Sequence, residues 1–119
     1  MPRPILATIH VSALSHNLAT VAGHVGRGAR GGRPLIWAVI KAHAYGHGIQ
    51  QAVQGFANAD GLAMLDLNEA VRCRELGWDG PLLLLEGFFE PADLAVLDHY
   101  RISTTIHTPE QLQMLEAAQ

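Results

Sequence analysis

The sequence predicts an α/β fold, a partial (β/α)8 barrel of the TIM type, and the spacing of its apolar segments is the main reason. Strand-like segments begin near Leu35, Gly61, Leu82 and Ile102, at separations of 26, 21 and 20 residues. Segments with a helical apolar stripe lie between them. Strands that alternate with helices at this spacing are typical of βα units in a parallel sheet. About four units fit into 119 residues, whereas a closed eight-stranded barrel needs about 250.

The composition is that of a folded protein, and it excludes several classes of partner. Hydrophobic residues make up 49% of the chain and charged residues 16%, with a net charge of −3. Such a chain can bury a core, and it has no basic field with which to hold nucleic acid or an anionic membrane. Cys73 is the one cysteine, so no disulfide forms within the chain. With no signal peptide at the start and no apolar run of about 20 residues, the sequence predicts a cytoplasmic protein.

The first predicted strand is Ile5–Val11, in which successive side chains fall on opposite faces. Ile5, Ile9 and Val11 share one face, as in a half-buried strand. Ser12 is predicted to cap the helix that follows. The apolar stripe of that helix consists of Leu14, Leu18, Val21, Ala22 and Val25.

The next strand ends at a lysine. The segment Leu35–Ile40 is apolar at every position, which predicts a strand that is buried on both faces. Lys41 follows directly, and α/β folds place their ligands and chemistry at the carboxyl ends of such strands. A lysine here can also simply mark where a buried strand reaches the surface. Position alone leaves both interpretations open.

The remaining elements follow from apolar periodicity and from capping residues. Further strands are predicted at Gly61–Leu65, Leu82–Leu85 and Ile102–Ile106. Asp66, with Glu69 three residues later, predicts a capping box for a helix that ends near Gly77.

Two prolines mark the starts of later helices. Pro91 is predicted to be a first helical residue. Thr108, Pro109 and Gln111 are predicted to be the cap, the first-turn proline and the box partner of the last helix.

A short motif dense in glycine, histidine and tyrosine begins at Lys41. It reads Lys-Ala-His-Ala-Tyr-Gly-His-Gly over residues 41–48, and it resembles the cofactor-attachment motif of alanine racemases, which carry pyridoxal 5′-phosphate (PLP) on that lysine. One position departs from the family, which usually has Asn or Asp where this chain has His43. The likeness extends over nearly the whole chain, through segments at 9–11, 66–71, 81–89 and 107–112.

The resemblance implies a role for each of four residues. Lys41 would hold PLP through its amine and move the α-proton of the substrate on one face, while a tyrosine of the other subunit acts on the opposite face. Tyr45 would bind the PLP phosphate, and Val39 and Leu85 would line its ring. From the residues alone, Tyr45 can also pack its ring under the loop, and Val39 and Leu85 can be ordinary barrel core.

The resemblance also implies what residues 1–119 represent. They would be the amino-terminal, incomplete part of a PLP-binding barrel domain, and the Ile5–Val11 strand would pair with a carboxyl-terminal β domain. The complete homodimeric enzyme would interconvert L- and D-alanine for cell-wall precursors, and the chain alone is predicted to be inactive. Two alternatives stay open: a non-catalytic PLP-binding barrel protein and a fragment with no stable function.

Two histidines have the spacing of metal ligands but not the rest of a metal motif. His43 and His47 are at i and i+4, but Ala44 stands where a metalloprotease motif has glutamate. No metal site is therefore predicted, and His47 is interpreted as a donor that stabilises the turn.

A glycine pattern at residues 26–31 matches G-x-G-x-x-G without its context. The dinucleotide-binding pattern follows a strand and opens a helix, whereas this one follows a helix and leads into a strand. The arginines of this loop, Arg27, Arg30 and Arg33, are predicted to be solvated.

Overall fold

The computed structural model describes residues 1–26 and 32–118, which form six helical segments and one parallel sheet. The helical segments are α1 (Val11–Val25), α2 (Lys41–Tyr45), α3 (Ile49–Gly55), α4 (Leu67–Glu75), α5 (Asp93–Tyr100) and α6 (Pro109–Ala117). The strands are β1 (Trp37–Val39), β2 (Gly61–Met64), β3 (Leu82–Leu84) and β4 (Ser103–Thr104). Within the described ranges, no helix has both the length and the apolar character needed to cross a bilayer.

The four strands lie side by side in chain order, and each pairs in parallel with the next. Val39 is in register with Ala63, Leu62 with Leu82, and Leu84 with Thr104. Each strand is followed by at least one helical segment before the next strand begins. This arrangement confirms the α/β prediction of four βα units.

The core lies between the sheet and the helices. Ile40, Leu62, Met64, Leu82 and Leu84 are at most 1% exposed. They pack against apolar side chains from the helices and loops, which are Ala52, Ala70, Cys73, Phe88 and Leu97. Each fully buried aliphatic side chain contributes about 1.5–3 kcal/mol relative to exposure, so this face of the sheet holds the units together.

The opposite face of β1 is open, so the prediction of a strand buried on both faces is wrong. Trp37 is 44% exposed and Val39 is 39% exposed, whereas Ile40 is fully buried. Leu35 precedes the strand and is 76% exposed. In the described sheet, β1 is an edge strand. Exposure therefore alternates along a segment whose residues are all apolar.

The Ile5–Val11 segment does not form a strand among the described residues. Ile5 and Leu6 are exposed, and Val11 already belongs to α1, whose N-cap is His10 and not Ser12. A strand needs a partner for its backbone groups, and no described strand pairs with these residues. The sequence of this segment has the alternation typical of a strand, but the described residues contain no strand with which it pairs.

The structure contains one of the two predicted capping boxes. Thr108 and Gln111 form the predicted capping box, with Pro109 in the first turn of α6. Asp66 caps α4 by accepting from the N–H of Asn68, but the predicted box partner makes a different contact, described below. The helix α4 ends at Glu75, two residues before Gly77 as expected.

The start of α5 differs from the prediction. The helix begins at Asp93, so Pro91 lies before it and is not its first residue. The side chain of Asp93 accepts hydrogen bonds from the N–H groups of Phe89 and Glu90. A carboxylate in the first turn thus satisfies donors that precede the helix.

The predicted glycine pattern falls largely on residues 27–31, which lie outside the described residues, as do Arg27 and Arg30. Arg33 is described, and it is not simply solvated: its guanidinium forms an ion pair with Asp60 at 2.9 Å. Asp60 comes directly before β2, so the pair joins the approaches to two neighbouring strands.

Candidate active site

The chain leaves β1 through a left-handed turn made of residues other than glycine. Ala42, His43 and Ala44 have φ of 52–55° and ψ of 44–56°, and Tyr45 has φ of 57°. These values are those of a left-handed helix, which costs roughly 1–2 kcal/mol per residue for L-amino acids. We call Ala42–Tyr45 the left-handed turn. Strain of this kind persists only where surrounding contacts hold it, and it concentrates at functional sites.

Two glycines continue the turn, and both need the conformation that glycine permits. Gly46 has φ of 90° and Gly48 has φ of 101°. The N–H of Gly46 donates to the carbonyl of Ala42 at 3.0 Å, and that of Gly48 donates to the carbonyl of His43 at 2.8 Å. Both positions therefore need a positive φ, which glycine adopts without steric cost.

The turn brings the side chains of Lys41 and Tyr45 together. The Nζ of Lys41 lies 5.9 Å from the centroid of the Tyr45 ring, within the range of a cation–π contact. Tyr45 is 61% exposed, so its ring does not pack under the loop, which was the alternative interpretation. An amine and a phenol thus share the open carboxyl end of β1.

Val39 and Leu85 lie on the same open face. They are 39% and 37% exposed, and neither belongs to the buried core. The strands β1 and β3 lie on either side of β2, so about 10 Å separates them. Between them, in register with Val39, is the small side chain of Ala63. Ala63 itself is fully buried, so Val39 and Leu85 supply the exposed apolar surface at this end of the two strands.

Glu69 contacts the left-handed turn, although its spacing from Asp66 predicted a capping role. Its Oε1 accepts a hydrogen bond from the N–H of His43 at 2.8 Å, and the Nδ1 of His43 lies 3.6 Å from the same oxygen. Glu69 is 8% exposed. It was predicted to close the capping box of α4. Instead, its carboxylate reaches the left-handed turn, because helix α4 starts beside that turn at the same end of the sheet.

The two histidines of the motif do not share a helical face. His43 lies within the left-handed turn, and His47 follows it, with its Nδ1 2.8 Å from the carbonyl of Ala44. This contact confirms that His47 stabilises the turn. Over residues 1–26 and 32–118, no group of three or more potential metal ligands occurs.

A buried amide ties together the loops after β3 and β4. Gln111 is 4% exposed, and its Nε2 donates to the carbonyls of Glu86 and Phe88, at 3.3 and 3.1 Å. Its Oε1 accepts from the N–H of His107 at 2.7 Å. A Cβ on Gly87 would collide with this amide. The sequence predicted Gln111 as a box partner but contained no signal for the second contact, which depends on the neighbouring unit.

The family described as "Alanine racemase, N-terminal domain" matches residues 9–119. The chain belongs to the alanine racemase family. Its relatives include the alanine racemases of Bordetella petrii, 63% identical over 121 residues, and Bordetella avium, 60% identical over 121 residues. Each alignment covers 99% of this chain and 32% of the relative.

Solved alanine racemases have the same fold. The crystal structure of the biosynthetic alanine racemase from Pseudomonas aeruginosa matches 98% of this chain and 31% of its own, with 36% identity and a TM-score of 0.81. The structure from Acinetobacter baumannii matches 92% and 31%, with 27% identity and a TM-score of 0.81. The chain spans about a third of the length of these relatives. The four βα units therefore have the fold of part of the alanine racemase barrel domain.

Proposed function

We propose that residues 1–119 supply part of the PLP-binding barrel domain of an alanine racemase, and that Lys41 is the residue that holds the cofactor. The observation that carries this proposal is the placement of the Lys41 amine 5.9 Å from the Tyr45 ring, on the open face at the end of β1. Membership in the alanine racemase family supports it. A relative from Bartonella henselae has covalently bound pyridoxal phosphate.

The residues present suit PLP. Lys41 offers a primary amine to an aldehyde, and Tyr45 offers a phenol that can donate to a phosphate oxygen. A Cβ on Gly46 would meet nothing within 4 Å, so the space beside Tyr45 is open to a phosphate group. Val39 and Leu85 supply partly exposed apolar surface against which a planar ring can pack.

Each side chain then has a distinct task. Bound PLP supplies an electron sink for the charge left when an α-proton is removed. The Lys41 amine takes or returns that proton on one face of the substrate, and Tyr45 anchors the phosphate. Racemisation also requires proton transfer on the opposite face. By the resemblance, a tyrosine of the second subunit of a homodimer would perform it.

The proposal extends to substrate and setting. The substrate is alanine, interconverted between its L and D forms, and the product would serve cell-wall precursors in the cytoplasm. The family membership and the high identity to named alanine racemases support alanine as the substrate.

A hybrid enzyme tests the proposal. It consists of residues 1–119 of this chain followed by the rest of the Bordetella petrii alanine racemase, the 63% identical relative. We expect it to convert L-alanine to D-alanine and, after borohydride reduction and peptide mapping, to carry pyridoxyl on Lys41. Lys41→Arg should abolish both the conversion of L-alanine and the pyridoxyl label at residue 41. Label on a different lysine would refute the assignment, and PLP binding without racemisation would favour the non-catalytic alternative.

A further inference from the structure

A buried carboxylate joins helix α4 to the left-handed turn. The Oε1 of Glu69 accepts from the N–H of His43 at 2.8 Å, while its Oε2 is buried with no hydrogen-bond partner. Burying a carboxylate is unfavourable unless its charge-assisted bonds compensate for it. An acid at this position therefore needs a reason beyond the stability of its own helix, whose cap is already provided by Asp66.

The contact falls at the middle of the left-handed turn. Within the turn, the N–H of Ala44 donates to the carbonyl of Ile40 at 2.9 Å. The N–H of His43 donates to Glu69 instead. An acceptor supplied by the neighbouring βα unit thus satisfies a backbone donor where the conformation is strained.

His43 lies two residues after Lys41 and two residues before Tyr45. A change in its backbone angles would alter the relative position of the amine and the phenol on the open face. A displacement of about 1 Å at such a site is enough to reduce function strongly.

We propose that Glu69 is a positioning residue for the cofactor site: it holds His43 in the left-handed conformation and so keeps Lys41 and Tyr45 together. The inference rests on the proposed function in that Lys41 and Tyr45 are the groups that bind PLP. It assigns Glu69 no contact with PLP or alanine.

Three variants of the hybrid enzyme separate positioning from general stability. Glu69→Met keeps a side chain of similar length but removes the acceptor, and Glu69→Gln keeps an oxygen that can accept from His43. Glu75→Met is the matched control, because Glu75 lies on the same helix and is exposed, with only a 3.8 Å contact to Arg72.

Two measurements are made on each variant below its unfolding temperature: PLP affinity, from the visible absorption of PLP bound at Lys41, and amide hydrogen exchange of a peptide that covers residues 42–45. We expect Glu69→Met to bind PLP about ten- to hundred-fold more weakly and to exchange faster in this peptide. Glu69→Gln should have the PLP affinity and the exchange rates of the parent, and so should Glu75→Met.

The inference is overturned if Glu69→Met has the PLP affinity and the amide exchange rates of the parent. It is also overturned if Glu69→Gln loses as much PLP affinity and as much exchange protection as Glu69→Met. If Glu69→Met does not fold, exchange in Glu69→Gln decides: parent-like rates at residues 42–45 support the inference, and faster rates refute it. An unsubstituted hybrid that fails to bind PLP would refute the proposed function, while exchange at the turn would still test the role of Glu69.

Discussion

The guanidinium of Arg33 and the carboxylate of Asp60 form two hydrogen bonds, of 3.0 and 2.9 Å, across a separation of 27 residues. Asp60 also accepts from the N–H of Ile36 at 2.7 Å. The Arg33 bonds, followed by the Ile36 bond, lower the pKa of Asp60 from its ordinary value of 3.8. The arrangement fixes the approach to β1 beside the start of β2.

Replacing Asp60 by Asn should lower the stability of the hybrid enzyme at neutral pH. A carboxyl group whose folded pKa is lowered contributes stability above its unfolded pKa, and that contribution is lost as the pH falls through the folded pKa. The difference between Asp60→Asn and the parent should therefore be present at pH 7 and shrink below pH 3.8. Urea unfolding at both pH values measures it, with Asp98→Asn on the exposed side of α5 as the control. A difference that does not depend on pH would contradict this explanation.

Replacing Tyr45 by Phe should weaken PLP binding by the hybrid enzyme and leave its folding intact. A hydrogen bond to a charged phosphate is worth about 1.5–3 kcal/mol, or roughly one to two decades in affinity. The ring is largely exposed, so its hydroxyl contributes little to packing. Titration with PLP measures the change, and Tyr100→Phe in α5 is the control. An unchanged affinity for PLP would show that Tyr45 does not bind the phosphate.

Replacing Arg74 by Met should destabilise the fold by about 2–4 kcal/mol, because hydrogen bonds of a charged donor are worth about 1.5–3 kcal/mol each before solvent reduces them. The guanidinium donates to the carbonyls of Tyr100, Trp78, Gly80 and Arg101 at 2.6–3.0 Å. Equilibrium unfolding measures the loss. Arg72→Met on the same helix removes only an exposed contact and should cost about 0–1 kcal/mol; equal losses in both variants would show that the carbonyl contacts are unimportant.

Cys73 should be unreactive in the folded protein. Burial, helped by the nearby Glu69 carboxylate, raises the pKa of its thiol to about 11, although Arg74 opposes the shift. The reactive thiolate is therefore scarce at pH 8, and alkylation by iodoacetamide should follow unfolding. The raised pKa also makes stability decline from about pH 9 to pH 11, since the unfolded thiol loses its proton first. Cys73→Ala should lack this decline, and rapid alkylation of the native protein would contradict the prediction.

The 119-residue chain by itself should produce no D-alanine. In the described sheet, β1 and β4 are both edge strands, and Ile5 and Leu6 are exposed. Lys41 alone can exchange a proton on only one face of the substrate. The purified chain, supplied with PLP and free of host racemase, is assayed for D-alanine beside the hybrid enzyme. Production above background by the chain would overturn the prediction.

The sequence located the four strands of the sheet because local patterns determine them, although it also predicted a strand at Ile5–Val11 that does not form among the described residues. The apolar segment Leu82–Leu85 predicted β3 to within one residue, and Thr108 with Gln111 predicted the cap of α6. Both signals depend on neighbours in the chain.

The features that the sequence did not reveal depend on contacts between units. Alanine has a high intrinsic preference for the right-handed helix, so the local sequence at Ala42 and Ala44 does not predict a left-handed turn. Glu69 fits a capping box by its spacing, and only the position of the neighbouring loop shows that it binds His43. The exposure of Trp37 and Val39 likewise depends on what covers the sheet, which an apolar run does not specify.

The agreement between strand order and chain order has a consequence for synthesis. In the described sheet, each strand after β1 pairs with the one made just before it, so its partner is already present when it is made. At about 5–20 residues per second, a βα unit of roughly 20 residues leaves the ribosome every one to four seconds, far longer than the microseconds in which local structure forms. The sheet can therefore grow one unit at a time as the chain emerges, with β1 as the first surface on which the next strand assembles.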